Sequence, residues 1–132
     1  MKHLFFIIAI FIFSIGDMTA QKPAALTNSG ATVTNAATVN LTFRNWSSPE
    51  KISFHLRNVK TSGTVAGKSY LEHSNDATNY IAIDSITNTN VAANEKWWEV
   101  TNPAAGYYRI RNVGSGTMVY VSNCIARVFN SR

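Results

Sequence analysis

Cysteine occurs once in the 132 residues, at Cys124. One thiol cannot close an intrachain disulfide, and chelation of a metal by cysteine pairs is excluded as well. Charge is sparse: 14% of residues are Asp, Glu, Lys or Arg, against 45% hydrophobic. That balance belongs to a globular chain rather than a disordered one. No long amphipathic helix can be drawn beyond the N-terminal segment, whereas short runs punctuated by Asn, Thr, Ser and Gly favour β structure. Histidine is scarce, and His55 and His73 lack a neighbouring carboxylate motif, so neither a metal site nor a cofactor is expected. The seven acidic and twelve basic residues give a net charge of +5. The excess is dispersed along the chain without a cluster, which argues against nucleic acid as a partner.

The N-terminal residues form a unit of their own. Lys2 and His3 precede an apolar run from Leu4 to Ile15, Gly16 breaks it, and Met18-Thr19-Ala20 ends on a small residue. This is the pattern of a secretory signal peptide over residues 1–20. The run is too short to span a bilayer, which needs roughly 20 apolar residues. The expected product is therefore secreted, periplasmic or extracellular, without stable membrane insertion after the signal is removed. Residues 21–38, rich in Ala, Thr, Asn and Ser, read as a flexible leader, and residues 39–132 as the folded domain.

Within that domain the residue type alternates with a period of two. Val39, Leu41 and Phe43 share one face of a strand, with Asn40, Thr42 and Arg44 on the other. Tyr108 and Ile110 alternate with Arg109 and Arg111, which places Ile110 in the core. Gly114-Ser115-Gly116 supplies a turn, and Met118-Val119-Tyr120-Val121 returns, so the segment reads as a hairpin. The same pattern occurs upstream. Phe54-His55-Leu56-Arg57-Asn58-Val59 lies over Tyr108-Arg109-Ile110-Arg111-Asn112-Val113, Ser62-Gly63 over Ser115-Gly116, and Tyr70-Leu71-Glu72-His73-Ser74-Asn75 over Met118-Val119-Tyr120-Val121-Ser122-Asn123. Two matching stretches indicate an internal repeat of about four strands, near residues 54–59, 69–73, 79–84 and 95–100.

These motifs resemble the ricin-type β-trefoil lectins. Asn94-Glu95-Lys96-Trp97 stands where that family carries Asn-Gln-x-Trp, and Gly106-Tyr107-Tyr108-Arg109-Ile110-Arg111-Asn112 followed by Gly114-Ser115-Gly116 is similar to its next strand and turn. The resemblance implies an all-β, β-trefoil-like fold with about one and a half to two of three repeats present. The remainder would be supplied by a missing C-terminal domain or by self-association. It implies that Trp97 is a core residue. Carried over position by position, it implies sugar contacts at Glu72, at Asn94 and at an aromatic falling on or near Ile83, for which Tyr80 is the nearby candidate.

The expected function is an exported, non-catalytic carbohydrate-binding module taking a glycan or polysaccharide. The alternative is a ligand-free adhesive module meeting a partner through Trp98, Tyr107 and Tyr120. Glycoside hydrolysis would need two carboxylates at fixed separation, and the six scattered acids beyond residue 20 (Glu50, Glu72, Asp76, Asp84, Glu95, Glu99) permit a pair on paper without singling one out.

Overall fold

In the computed structural model, which describes residues 24–45 and 49–130, the alternating segments form eight strands. They are β1 (Ala24–Thr34), β2 (Thr38–Arg44), β3 (Lys51–Ser62), β4 (Ala66–Ser74), β5 (Ile81–Thr87), β6 (Ala93–Thr101), β7 (Tyr107–Ser115) and β8 (Val119–Phe129). The signal segment 1–20 lies outside the described residues, among which no helix is long and apolar enough to cross a membrane. The strands make two antiparallel sheets, ordered β1-β8-β3-β6 and β2-β7-β4-β5. Every connection except β4–β5 crosses from one sheet to the other. This is the winding of a jelly-roll sandwich.

Three expectations are corrected here. The fold is all-β, but its strands do not build a trefoil: two open sheets face each other, and no threefold set of hairpins is formed among the described residues. The count of missing repeats rested on that threefold and has no counterpart in this topology. The stretch expected to be a flexible leader instead supplies β1, which pairs along β8 from Ala24↔Val128 to Thr34↔Val119. Ordered structure thus begins before residue 39. Thirdly, the two Ser-Gly turns do not close hairpins. β7 lies between β2 and β4, whereas β8 lies between β1 and β3, so each turn is a corner between sheets.

The two matching stretches do meet, at those corners. Gly63 has φ +70°, and a Cβ there would lie 1.6 Å from the Thr117 carbonyl oxygen, an approach only glycine permits. The β3–β4 corner therefore rests directly on the β7–β8 corner.

Inward-facing residues fill the sandwich in layers. Leu41, Phe43, Ile52, Phe54, Leu56, Leu71, Trp98, Tyr108, Ile110, Cys124 and Ala126 form the main apolar cluster, with Phe43 edge-on to Phe54 at 5.6 Å between ring centroids. Val33, Val65, Met118 and Tyr120 form a smaller one. Between them the strand alternation brings in a polar layer, because register pairs Asn58 with Ser122 in one sheet and Ser69 with Asn112 in the other. The Ser69 hydroxyl accepts from Asn58 Nδ2 (3.0 Å) and Asn88 Nδ2 (3.1 Å) and donates to Asn112 Oδ1 (2.6 Å). Asn58 also donates to Asn88 Oδ1 at 2.9 Å. One hydroxyl thus uses its full capacity to join three amides across the interior.

Candidate functional site

The residues expected to touch sugar are placed in two different parts of the sandwich. Glu72 projects from the outer face of β4, opposite Arg109 of β7 in register. Its side chain is 4% exposed, and both carboxylate oxygens are taken: Arg109 Nε donates at 2.6 Å and Arg111 Nε at 2.7 Å. The Tyr80 ring lies against the Arg109 guanidinium at 3.8 Å, and the Tyr70 ring against that of Arg111 at 4.3 Å. Glu72 and Tyr80 are therefore neighbours, joined through Arg109, but the carboxylate clamps two guanidiniums and, at 4% exposure, is closed to a ligand hydroxyl. Asn94 is on β6, in the opposite sheet. Its amide holds the preceding turn: Nδ2 donates to the Thr89 carbonyl (2.9 Å), and Oδ1 accepts from Thr89 N (3.2 Å) and Oγ1 (3.0 Å). Asn94 does not join Glu72 in one site. Ile83, at the family's aromatic position, is 44% exposed on edge strand β5.

The tryptophan pair is also reversed relative to the resemblance. Trp97 is 54% exposed and Trp98 is 5% exposed. On β6, Glu95, Trp97 and Glu99 share the outer face, while Trp98 points between the sheets and donates its indole N–H to Asp84 Oδ2 at 2.8 Å. Ile110 is fully buried, as its alternation requires. Trp98 and Tyr120, offered for the adhesive reading, are both buried, so neither can meet a partner.

Trp97 is the centre of the most suggestive surface. Register sets Ile125 of β8, His55 of β3 and Trp97 of β6 side by side across the outer face of the first sheet. The His55 and Trp97 rings are tilted by 35° with centroids 5.3 Å apart. Together with Ser53 and Arg127 they line a shallow trough of about 180 Å³. Outside the trough, on the same face, Arg57 donates from Nε to Glu95 Oε1 at 2.8 Å, and His55 Nε2 lies 3.7 Å from Glu95 Oε2. Such a space is below the usual size of a drug-sized pocket. It suits one small ring laid on an indole, with imidazole and guanidinium groups at its edge. The signal for it was local: alternation alone puts Trp97 with Glu95 and Glu99 and Trp98 with Val100.

Two other depressions carry less chemistry. The one of about 250 Å³ by His73 and Ile81 includes Asp76, whose carboxylate closes its own loop. Asp76 Oδ1 accepts from Asn79 N (2.7 Å), Thr78 N (2.9 Å) and Ser74 Oγ (2.8 Å), and Oδ2 from Asn79 Nδ2 (2.7 Å). These bonds, those from Asn79 foremost, hold its pKa well below the ordinary carboxylate range. The other, about 620 Å³, lies between Glu50, Glu99 and Phe129, where Lys51 is tied to Glu99 at 3.1 Å. Among the described residues no group of His, Cys, Asp and Glu could hold a metal ion.

No family model matches this sequence, and no curated protein matches it. Among solved structures the chain is similar to the PBSX exported protein XepA, with a TM-score of 0.61 and 11% identity over 83% of this chain and 38% of that one. It thus spans well under half the length of XepA. It is also similar to the Yersinia pseudotuberculosis-derived mitogen, with a TM-score of 0.55 and 11% identity over 84% and 91% of the two chains. At these identities the likeness is one of fold alone. A looser similarity to a family 16 carbohydrate-binding module, at a TM-score of 0.48 and 8% identity, carries no argument.

Proposed function

We propose that this chain is an exported, non-catalytic carbohydrate-binding module that holds a sugar ring against Trp97. The observation that carries the reading is a half-exposed tryptophan in the middle of a strand, set beside His55 and lining one trough with Ile125 and Arg127. An indole left in water on a sheet face gives up favourable burial unless something covers it. The apolar face of a pyranose suits that role, and the polar rim can address its hydroxyls. Export follows from the N-terminal pattern of Lys2, the Leu4–Ile15 run and Ala20.

The affinity expected is low. A hexose has about twelve non-hydrogen atoms, and at about 0.3 kcal/mol each the binding energy is roughly 4 kcal/mol, a Kd near 1 mM. Useful retention would come from repeated rings along a polysaccharide. The test is a glycan array followed by calorimetry on the best ligand, for the wild type and Trp97→Ala. The wild type should be retained by a neutral glycan, and the variant should stay folded and lose retention. A folded wild type that is retained by no glycan, or a variant that binds as well as the wild type, removes the proposal.

A second reading, a ligand-free adhesive module, is favoured by β5 alone. That edge strand presents Ile81 at 69% and Ile83 at 44% exposure, without a lysine or proline to guard it. Sedimentation at micromolar concentration should then show association, and a monomer throughout would dismiss it.

A further inference from the structure

We propose that the outer face of the β2-β7-β4-β5 sheet is a separate site for an acidic polysaccharide, a carboxylated or sulfated sugar chain, gripped by the guanidiniums of Arg109 and Arg111. This face is the back of the sandwich relative to Trp97, so the proposal stands independently of the one above.

Charge is the first observation. By register and alternation the face carries Arg44, Lys68, Arg109 and Arg111 against a single carboxylate, Glu72. Four positive charges less one negative leave +3, out of a net +5 for the whole chain. The opposite outer face sets Lys51, Arg57 and Arg127 against Glu95 and Glu99, leaving +1. The asymmetry concentrates a positive field on one side.

The second observation is that the two guanidiniums are already fixed. Glu72, buried beneath them, accepts one Nε–H from each, and a tyrosine ring lies against each plane, Tyr80 at Arg109 and Tyr70 at Arg111. A free arginine loses much side-chain freedom when it captures an anion; these have lost it in advance. Each guanidinium has five N–H donors, and only Nε is committed to Glu72, so the Nη groups are left for a ligand. With side chains 22% and 30% exposed, both remain reachable from solvent. One buried carboxylate facing two cations also leaves a unit of positive charge uncompensated at the surface. Planar forked donors of this kind match carboxylate and sulfate oxygens bidentately.

The third observation selects sugar over nucleic acid. Single-stranded nucleic acid is held by stacking bases on open aromatic faces. Here one face of each of Tyr70, Tyr80 and Tyr107 is already taken by a guanidinium, at 4.3, 3.8 and 5.4 Å respectively. Beside the arginines lie neutral hydrogen-bonding side chains instead: Thr42 is opposite Arg109 and Asn40 opposite Arg111, both exposed. Alternating cationic forks and small polar groups suit a polymer that is both anionic and polyhydroxylated.

The experiment passes the protein over immobilised polygalacturonate and dextran sulfate, with neutral dextran and oligo(dT) as comparisons, at 50 and 200 mM salt. The wild type should be retained by the two acidic polymers and not by neutral dextran, and raising the salt should weaken binding about tenfold or more. Thr42→Glu places a carboxylate beside Arg109 at an exposed position and should reduce retention at least tenfold without touching the core. Arg111→Lys keeps the charge but loses the fork, and should bind more weakly than the wild type. Trp97→Ala should leave acidic-polymer binding unchanged, so this site and the Trp97 trough fail or survive separately. No retention at 50 mM salt overturns the proposal, as does a Thr42→Glu variant that binds like the wild type. Binding to oligo(dT) as tight as to the acidic polysaccharides, and lost in the same variants, reassigns the face to nucleic acid and overturns it too.

Discussion

Replacing the two adjacent tryptophans one at a time separates core from surface. Trp98 is 5% exposed and sits between the sheets against the main apolar cluster, so Trp98→Ala leaves a large cavity. Loss of a buried aromatic of that size costs about 3–5 kcal/mol. Trp98→Phe keeps most of the packing and loses the 2.8 Å bond from the indole to Asp84. The Asp84 side chain is 49% exposed, so water can take over the vacated oxygen, and the cost falls to about 0.5–1.5 kcal/mol. Trp97, 54% exposed, covers only its neighbours on the sheet face, and Trp97→Ala should cost about 0–1 kcal/mol. Domains of this size are stable by roughly 5–15 kcal/mol, so Trp98→Ala removes a large share of the total and Trp97→Ala very little. The assay is urea unfolding followed by far-UV circular dichroism. With a slope of about 1–3 kcal/mol per molar urea, Trp98→Ala should lower the midpoint by more than about 1 M. Should Trp97→Ala prove the more destabilising of the pair, the strand parity assigned to β6 is wrong, and the exposed-indole site goes with it.

Ser69→Ala removes the hydroxyl that joins Asn58, Asn88 and Asn112, and should cost roughly 2–4 kcal/mol in the same unfolding experiment, because buried amide groups lose their partner; a loss within 0.5 kcal/mol, in order-of-magnitude terms, contradicts the polar layer. Gly63→Ala forces a methyl group onto the Thr117 carbonyl and should cost roughly 2–5 kcal/mol, whereas Gly106→Ala, where a Cβ meets nothing within 4 Å, should be neutral. Alkaline pH should weaken the fold. Burial pushes the Cys124 thiol up to about 12 and raises Tyr108 and Tyr120. The unfolded chain therefore releases these protons first, and the contribution of these groups, constant below roughly pH 8.5, falls as pH rises through the range between the unfolded and folded values, by up to about 1.4 kcal/mol per unit for each group. A urea midpoint unchanged between pH 7 and 10.5 refutes this. On the acid side, the Ser85 backbone N–H and the Trp98 indole lower the Asp84 pKa, so its contribution is present above the unfolded carboxylate range and is lost as pH falls through the depressed folded value; Asp84→Asn should flatten that acid limb.

Much of the fold was local information. A period-two pattern in Val39-Asn40-Leu41-Thr42-Phe43-Arg44 or Tyr108-Arg109-Ile110-Arg111 states that a strand is half buried and which side is wet, because successive side chains must point oppositely. The strands near residues 54–59, 69–73 and 95–100 were legible for that reason, as was the burial of Ile110. The burial of Trp98 was legible too, from its sharing a face with Val100, but the Asn-x-x-Trp resemblance pointed to Trp97 instead. The Thr- and Asn-rich stretch that forms β1 has no such alternation of its own; it is ordered by pairing with β8, about ninety residues away.

Pairing is what the sequence left undecided. Two strands joined by Ser-Gly have the same alternation whether they lie side by side or turn a corner into opposite sheets, since the period says which face is buried and not which neighbour accepts the hydrogen bonds. Contacts distant along the chain made that choice, among them the seating of Gly63 on Thr117 and the meeting of Asn58 with Ser69 between the sheets. The same holds for Glu72. The resemblance to ricin-type lectins implied a carboxylate open to a ligand, and only the arrival of β7 beside β4 set two guanidiniums on it. A side chain's chemistry is fixed where it is written, but whether it is spent inside the molecule or offered outside depends on what the folded chain brings next to it.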